Sequence, residues 1–269
     1  MKLLIAIPAR YGSSRLPGKP LIKLHGKAML QRVYEIALMA ANKYQDIECI
    51  VATDDKRIMD FCHANNIKSV MTSEQCKTGT DRIQEILDVL QINPEFIVNL
   101  QGDNPLCPPW VVTAVIDAFQ ADNTSEVITP CVRLTWQELD QLRINKKTTP
   151  LSGTTAIVNQ NLQAIWFSKN ILPAIRNEEK YKASEPVFSP VLRHIGLYGY
   201  RRDILKRIAA LKEGYYEKFE GLEQLRFLEN GIKIRVALVD YQGRESNSGV
   251  DSPEDVSKVE ALLTKYGEF

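Results

Sequence analysis

The sequence predicts an α/β protein with a Rossmann-like core, a mostly parallel sheet and an inserted strand-rich lobe. Short apolar runs alternate with segments of helical spacing through the first 120 residues or so. Strands that alternate with helices in this way form parallel sheets covered on both faces. From about residue 125 to 200 the pattern changes, and short strands follow one another with little helix between them. We therefore expect one domain, 1–269, in which roughly residues 125–200 form the inserted lobe.

The core elements follow from hydrophobic periodicity. Short apolar runs closed by turn residues predict strands, and apolar residues three and four apart predict helices. The predicted core strands are 2–8, 46–52, 68–71 and 95–100. The predicted core helices are 29–42, 55–64, 79–90 and 110–119.

The second half is predicted in the same way. Its expected strands are 127–132, 154–158, 162–168, 192–200 and 232–238. Its expected helices are 203–211, 220–229 and 252–266, the last capped by Ser252 or Asp251 with Pro253 in its first turn. The polar segment 177–190 holds two prolines and no periodicity, which predicts a loop.

Composition excludes several classes of protein. The formal net charge of +1 provides no global attraction to nucleic acid or to an anionic membrane. The apolar runs 3–8 and 96–100 are too short to cross a bilayer, and the N-terminus lacks the pattern of a signal peptide. The five cysteines form no Cys-x-x-Cys pair, so neither a zinc site nor a disulfide framework is expected. These features favour a protein of the reducing cytoplasm.

The loop after the first strand carries the first functional signal. Its glycines Gly12 and Gly18 allow backbone amides to approach a ligand closely. Arg10, Arg15 and Lys19 add three cations, a combination that suits a triphosphate. The spacing is not that of a Walker loop. A solvated basic loop is the alternative interpretation, and composition alone does not decide between the two.

Residues 10–20 have the form Arg-Tyr-x-Ser-x-Arg-Leu-Pro-Gly-Lys-Pro, which resembles the signature of sugar-activating nucleotidyltransferases, in particular the CMP-Kdo synthetase (3-deoxy-manno-octulosonate cytidylyltransferase) family. Further blocks resemble that family in the same order along nearly the whole chain. These blocks are 51–54, 71–72 with 78–82, 99–103, 193–201, 222–226 and 249–255. Any one block alone would be weak, but their common order is specific.

The resemblance implies a Rossmann-like nucleotidyltransferase core and a defined reaction. The anomeric hydroxyl of a sugar acid, in this family Kdo, attacks the α-phosphate of CTP, and pyrophosphate leaves. The product is an activated sugar for lipopolysaccharide synthesis. The family also implies Mg²⁺ as cofactor, a cytoplasmic homodimer, and no nucleic-acid or membrane partner.

The resemblance assigns roles to individual residues. The catalytic set is Arg10, Arg15, Lys19, Asp103 and Asp251, and the last two are the expected metal ligands. The CTP-binding set is Ala9, Arg10, Gly12, Ser13, Arg15, Lys19, Thr80, Arg82 and Gln101. The sugar-binding set is Arg193, His194, Glu223 and Gln224.

Each assignment has a structural alternative. Magnesium prefers a few carboxylates with phosphate oxygens and waters, but Asp103 could form a turn and Asp251 could cap a helix. Arg82 could pair with Glu85 one turn along a helix. A single strand histidine such as His194 is more often structural than catalytic, and Glu223 with Gln224 could be the polar face of a helix.

The sequence also departs from the family pattern in three places. Asn104 replaces the glutamate of Gly-Asp-Glu-Pro, and segment 153–158 lacks the lysine that the family carries in its middle strand. Lys169 replaces the arginine that follows Phe-Ser in the family. The acceptor could therefore be an amino-modified Kdo or a nonulosonic acid, and a non-catalytic paralogue that binds nucleotide is a further alternative.

Overall fold

The structure is a computed structural model that describes residues 2–12, 16–76, 78–245 and 249–269. The strands are β1 (Leu3–Pro8), β2 (Lys23–Leu24), β3 (Lys27–Ala28), β4 (Ile47–Thr53), β5 (Ser69–Met71), β6 (Phe96–Leu100), β7 (Val127–Thr135), β8 (Thr155–Val158), β9 (Ala164–Ser168), β10 (Phe188–His194), β11 (Leu197–Arg201) and β12 (Ile234–Val239). The helices are α1 (Met29–Ala41), α2 (Lys56–Ala64), α3 (Gly79–Leu90), α4 (Pro109–Ala121), α5 (Trp136–Asn145), α6 (Glu178–Ser184), α7 (Arg202–Ala209), α8 (Tyr215–Glu220), α9 (Gln224–Glu229) and α10 (Pro253–Tyr266). A short 3-10 turn, Lys19–Leu21, lies in the loop after β1.

One large sheet organises the chain. Its strand order is β5-β4-β1-β6-β11-β7-β10-β8-β9, and β12 pairs with β7. The first four strands in that order are parallel, as is the β12–β7 pair, whereas β11, β10, β8 and β9 join by antiparallel pairing. The α/β class is confirmed, and the strands of segment 125–200 extend the core sheet.

Strand β1 lies at the centre of the core because both of its faces are apolar. Successive side chains of a strand point to opposite faces. Leu3, Ile5 and Ile7 enter one buried cluster, with residues of α1 and α4, while Leu4 and Ala6 enter another, with residues of α3. All six β1 residues are buried, so a ligand can meet an end of this strand but not one of its faces.

The prediction of little helix between the lobe strands was wrong at α5. Thr135 and Glu138 form a capping box, in which the Glu138 amide donates to the Thr135 hydroxyl at 3.2 Å. Trp136, Leu139 and Leu142 are buried on one face of α5. The capping-box residues and the helical spacing of the apolar residues were both present in the sequence, but the strand pattern of the neighbouring segments obscured them.

The loop prediction for 177–190 was also wrong, because α6 and the start of β10 lie there. The two Glu178 carboxylate oxygens accept hydrogen bonds from Arg143 of α5 at 2.9 and 2.6 Å, a tertiary pairing that no local pattern indicates. Residues 192–200 form parts of two strands, not one.

The predicted helix 220–229 is shorter in the structure, because residue 220 is the last residue of α8 and α9 begins only at Gln224. Gly221 adopts φ +61° at the end of α8 and closes that helix. At the C-terminus, Ser252 is the cap of α10, accepting from the Asp255 amide, and Pro253 lies in the first turn as predicted. Among the described helices, none is long and apolar enough to cross a membrane.

Candidate active site

Two loops meet at the carboxyl end of the parallel strands. One follows β1 and the other follows β6, and the Gly102 amide donates to the Pro8 carbonyl at 3.3 Å. Strand β1 pairs with β6 directly, so their loops emerge side by side. Ligands of open α/β sheets bind at this edge.

The loop after β1 turns back toward the sheet at Gly18. Gly18 adopts φ +71°, and its amide donates to the Tyr11 carbonyl at 2.9 Å. A β-carbon at this position would lie 2.9 Å from the Tyr11 ring. Only glycine combines this φ with this close approach, and the turn places Lys19 over the end of the sheet.

Lys19, Asp103 and Asp251 converge from three distant parts of the chain. The Lys19 Nζ atom lies 2.7 Å from Asp103 Oδ2 and 3.0 Å from Asp251 Oδ1. The Val250 amide donates to the Asp103 carbonyl at 2.8 Å. A β-carbon on Gly249 would lie 2.9 Å from that carbonyl oxygen, so glycine allows the approach that brings Asp251 to Asp103.

The carboxylate pair attracts positive charge. Burial lowers the pKa of Lys19, but hydrogen bonds and charge attraction from Asp103 and Asp251 outweigh it, so that the pKa is raised above 10.5. The Asp103 and Asp251 side chains are 31% and 49% exposed, and ligands can therefore reach them. Two carboxylates open to solvent suit Mg²⁺, which completes its shell with phosphate oxygens and waters.

A cavity of about 290 Å³ opens on one side of this carboxylate pair. Arg10 and Arg82 contribute positive charge to its wall. The full lining is Pro8, Ala9, Arg10, Lys19, Pro20, Cys76, Thr78, Gly79, Arg82, Gln101, Gly102, Asp103 and Asp251. We call it the nucleotide cavity, because it joins the basic loop after β1 to the N-terminus of α3.

Arg82 is held in the wall of the nucleotide cavity by other partners than Glu85. It donates to Asp54 Oδ2 at 2.6 Å and also to the Thr72 hydroxyl. The Glu85 carboxylate instead accepts from the Ser73 amide and the Cys76 thiol, at 2.7 and 2.8 Å. Three sequence blocks, 51–54, 71–72 and 78–82, therefore meet around one guanidinium.

Two of the predicted CTP-binding residues are not among the described lining of the nucleotide cavity. Thr80 is buried, donates to Glu223 Oε2 at 3.3 Å, and is not among the described lining of the nucleotide cavity. Gly12 is exposed and also lies outside that lining. Ser13 and Arg15 fall outside the described residues, so their roles stay predictions.

A second cavity, of about 300 Å³, is lined by the same carboxylate pair. Its lining is Gln101, Asp103, Asn104, Gly153, Thr154, Lys169, Arg193, His194, Ile195, Gly196, Tyr198, Leu222, Gln224, Gly249 and Asp251. We call it the acceptor cavity. Three of the four predicted sugar-binding residues line it; the fourth, Glu223, is not among its described lining.

His194 is a neutral side chain with one fixed hydrogen bond. Burial and the nearby Lys169 charge lower its pKa to about 3. Its Nε2 atom lies 2.8 Å from the Thr129 hydroxyl, which itself donates to the Leu197 carbonyl at 2.8 Å. Because that hydroxyl proton is engaged, Nε2 must carry the imidazole proton, and Nδ1 is left as an acceptor.

Gln224 presents an uncommitted donor at the acceptor cavity. Its side chain is 2% exposed, and its Nε2 atom has no hydrogen-bond partner among the described residues. Buried polar groups without a partner are costly, so this amide indicates a ligand oxygen. Its neighbour Glu223 is half-buried and accepts a hydrogen bond from the Thr80 hydroxyl, and burial raises the pKa of its carboxyl.

Several wall residues were not predicted as site residues, and two of them carry an ammonium or a thiol. Lys169 lines the acceptor cavity, and Cys76 lines the nucleotide cavity. The departure from the family arginine was a signal for Lys169. No local pattern points to Cys76, because the loop after β5 brings it to the cavity only in the folded chain. Asn104, the departure beside Asp103, also lies in the acceptor wall.

The two cavities share Gln101, Asp103 and Asp251. Gln101 is oriented by its Nε2 atom, which donates to Asn99 Oδ1 at 2.8 Å. A group can therefore be transferred from a ligand in one cavity to a ligand in the other, next to the shared carboxylate pair. This arrangement, at the loop edge of an α/β sheet, defines a nucleotidyltransferase.

A family model described as cytidylyltransferase matches residues 4–234. The chain is 43% identical over 269 residues to the 3-deoxy-manno-octulosonate cytidylyltransferase of Maricaulis maris, covering all of both chains. It therefore belongs to the 3-deoxy-manno-octulosonate cytidylyltransferase family. It is also 38% identical over 266 residues to the 8-amino-3,8-dideoxy-manno-octulosonate cytidylyltransferase of Shewanella pealeana, covering 98% of this chain and 99% of the relative.

A solved structure described as CMP:2-keto-3-deoxy-manno-octonic acid synthetase complexed with CTP has a TM-score of 0.82 to this chain. Its sequence is 36% identical, and the match covers 98% of this chain and 99% of that one. The 4-diphosphocytidyl-2C-methyl-D-erythritol synthase of Anaerococcus prevotii, at 18% identity and a TM-score of 0.54, shares the fold.

Proposed function

We propose that this protein transfers CMP from CTP to the anomeric hydroxyl of 3-deoxy-manno-octulosonate (Kdo) and releases pyrophosphate. The observation that carries the proposal is the pair of cavities that share Gln101, Asp103 and Asp251. CTP occupies the nucleotide cavity and the sugar acid the acceptor cavity, so the α-phosphate lies at their junction. A relative named 3-deoxy-manno-octulosonate cytidylyltransferase, at 43% identity, supports the same assignment.

The nucleotide cavity suits a triphosphate because its mouth is cationic. Arg10 and Lys19, from the loop after β1, both line it. Negative charge grows on the pyrophosphate as it leaves, so fixed cations stabilise the transition state more than the ground state. Arg15, in the same loop, is proposed to act with them.

Asp103 and Asp251 would hold Mg²⁺. Their oxygens already converge on one cation, the Lys19 ammonium, at 2.7 and 3.0 Å. When bound, the ion neutralises phosphate charge and orients the α-phosphate for in-line attack. The protein contribution is the spacing of the two carboxylates, set by the Gly249–Asp103 contact.

The acceptor cavity suits a polyhydroxylated acid. The free Nδ1 of His194 can accept a hydrogen bond from a sugar hydroxyl, and Gln224 Nε2 can donate one to a sugar oxygen. Apart from the shared carboxylate pair, the described lining has no acidic side chain but contains Lys169 and Arg193. That charge favours an acidic sugar and disfavours a protonated amino group, so Kdo is preferred over its 8-amino analogue.

The proposal is tested by a matrix of nucleotide triphosphates against sugar acids, with pyrophosphate release as the readout. Turnover should require CTP together with Kdo, and the 8-amino analogue and a nonulosonic acid should be poorer acceptors. Equal turnover with UTP would remove the cytidylyl assignment. Faster turnover with the 8-amino sugar would instead assign the 8-amino-3,8-dideoxy-manno-octulosonate cytidylyltransferase activity for which the Shewanella relative is named.

We also propose that the protein is a cytoplasmic homodimer. The edge strand β9 exposes 56% of Ile165, and exposed sheet edges are usually covered. All five cysteines are free thiols, which supports a reducing compartment. Light scattering at micromolar concentration should give twice the chain mass, and a mass of 30.5 kDa would contradict the dimer.

A further inference from the structure

Asp251 lies two residues before α10, so the seating of this helix determines where its carboxylate lies. The Asp251 and Ser252 amides donate to the Asp255 carboxylate at 3.0 and 2.9 Å, which ties Asp251 to the first turn of α10. The helix has 14 residues and is therefore about 21 Å long. A shift of α10 as a rigid body would move Asp251 relative to Asp103, because Asp103 belongs to the loop after β6.

Helix α10 packs on the core through a small apolar cluster of its own. This cluster joins α10 to the β2–β3 hairpin, the start of α1 and the loop after β6, and it is separate from the two clusters that cover the sheet. Its buried members are Leu24, Met29, Leu106, Val250, Val259, Leu262 and Leu263. Hydrophobic attraction is non-directional, so this cluster holds α10 against the core, while directed polar contacts must fix the position of the helix along it.

The far end of α10 carries such polar contacts. Glu268, two residues beyond the helix, accepts hydrogen bonds from Arg32 Nη1 at 2.7 Å and from Lys27 Nζ at 2.8 Å. Arg32 of α1 is only 5% exposed, and its Nε and Nη2 atoms donate to the Leu24 carbonyl. A guanidinium buried to this degree needs a negative partner. Hydrogen bonds from Lys27 and Arg32 lower the pKa of the Glu268 carboxyl, so it is charged at neutral pH and neutralises Arg32.

The tail, residues 267–269, is also anchored by Arg244. The Arg244 guanidinium donates to the Tyr266 carbonyl at 3.0 Å and lies 4.5 Å from the centre of the Phe269 ring. The Phe269 ring meets the Trp110 ring of α4 edge-on, with the two centroids 5.6 Å apart. A cavity of about 360 Å³ opens between the tail and α1. The tail is therefore not close-packed against α1, and its attachment there depends on the ion pairs of Glu268.

We propose that Glu268 is a positioning residue for Asp251, and that it acts by fixing the far end of α10 to α1 and the β2–β3 hairpin. The inference rests on the proposed function, in which Asp251 is a metal ligand, and adds a distant residue to that site. The loop that carries Lys19 leads directly into this hairpin and α1. Glu268 therefore links the two chain segments whose side chains meet at the carboxylate pair. Since Glu268 is itself 54% exposed, loss of its charge should disturb the position of α10 more than the overall stability.

Hydrogen exchange of the protein without substrates tests the positioning directly. The Val250 amide donates to the Asp103 carbonyl at 2.8 Å, so its protection reports whether the segment before α10 is seated. In Glu268→Gln this amide should exchange roughly tenfold faster than in the wild type, while the amides of β4 keep their wild-type rates. Glu268→Asp keeps the charge and should recover part of the protection. Glu245→Gln is the matched control, because it removes an exposed ion pair with Lys265 on the same helix and should change neither rate.

Metal affinity is the second readout. In the presence of CTP, the Kd for Mn²⁺, measured from the EPR signal of the free ion, should rise roughly tenfold in Glu268→Gln, as when a group that orients a metal ligand is lost. Turnover at saturating Mg²⁺ should stay close to that of the wild type, because excess metal compensates for the weaker binding. Glu245→Gln should again behave as the wild type.

Wild-type protection of Val250 in Glu268→Gln would overturn the inference, and so would a wild-type Kd for Mn²⁺. The same changes in Glu245→Gln would also overturn it, because any disturbance of α10 would then have this effect. A wild-type protein that releases no pyrophosphate from CTP with Kdo would instead contradict the proposed function. The hydrogen-exchange result needs no substrate, so the two failures are distinguishable.

Discussion

The Lys19 ammonium lies 2.7 Å from Asp103 Oδ2 and reaches Asp251 Oδ1 at 3.0 Å. This one nitrogen thus links a loop near the N-terminus to carboxylates 84 and 232 residues further along the chain. Without a cation between them, two carboxylates at one site would repel each other. The Lys19 ammonium offsets this repulsion here, and a bound metal ion would do the same.

Removing this cation should affect catalysis more than folding. In Lys19→Ala the carboxylates lose the Lys19 ammonium, and turnover should fall roughly a hundredfold, a barrier increase of about 3 kcal/mol. The loss of stability should be about 1 kcal/mol because the partners are partly exposed. Lys19→Arg should also be impaired, since a planar fork does not replace a compact ammonium. Turnover assays and melting curves on the same preparations measure both effects.

Metal binding should have a distinct effect on the melting temperature of the Lys19→Ala variant. Mg²⁺ should raise the melting temperature of Lys19→Ala more than that of the wild type, because it relieves the repulsion between Asp103 and Asp251. Lys23→Ala, at an exposed lysine close in sequence, is the control and should show neither effect. Wild-type turnover combined with a lowered melting temperature would show that Lys19 is structural.

The carboxylates themselves should be indispensable for turnover. Asp103→Asn and Asp251→Asn keep the side-chain shape and remove the charge, so each should lose most activity while the fold remains. The defect should be greatest at limiting Mg²⁺, because a neutral amide is a poorer ligand for a hard cation. Asp60→Asn, at an exposed carboxylate of α2, is the control. Near-normal turnover of either site variant at limiting Mg²⁺ would exclude that residue as a ligand.

The nucleotide cavity can be tested by thiol chemistry. Burial and a hydrogen bond to Glu85 raise the pKa of Cys76 to about 12. Since the thiolate is the reactive form, iodoacetamide should modify Cys76 slowly at neutral pH and faster as the pH rises. CTP should slow the reaction further, because Cys76 lies in the wall of the nucleotide cavity. Intact-mass analysis follows the adduct.

Two variants sharpen that experiment. Cys76→Ser should abolish the adduct, since the other four cysteines are buried. Glu85→Gln should accelerate alkylation, because loss of the negative acceptor lowers the thiol pKa. If saturating CTP does not slow the alkylation of Cys76, the nucleotide binds away from this cavity.

The sequence predicted the parallel core well because each of its strands is a continuous apolar run between helices. The carboxyl-end loops that carry Lys19 and Asp103 follow from that order. The lobe was harder to predict from the sequence, because a tertiary ion pair between Arg143 of α5 and Glu178 of α6 stabilises these helices. The wall of the acceptor cavity was the hardest part to predict. Lys169 follows the end of β9, and the pairing of β8 with β9 brings it to Thr154.

The role of His194 leads to a prediction about pH. Its pKa is lowered to about 3 by burial and by Lys169, from an ordinary value of 6.5. Below the ordinary pKa the unfolded chain takes up a proton that the folded chain does not, so the free energy of unfolding should fall as the pH drops from about 6.5 toward 3. This group contributes a slope of up to about 1.4 kcal/mol per pH unit in that window.

His194→Gln should remove that contribution. Denaturant unfolding at several pH values between about 5 and 8 should give a flatter loss of stability on acidification than in the wild type. Carboxylates also titrate at the lower end of this range, but they are common to both proteins and cancel in the difference. His63→Gln, at an exposed histidine, should retain the wild-type slope. An identical slope in His194→Gln and the wild type would mean that folding does not lower the pKa of His194, and the tautomer that leaves Nδ1 as a permanent acceptor would lose its support.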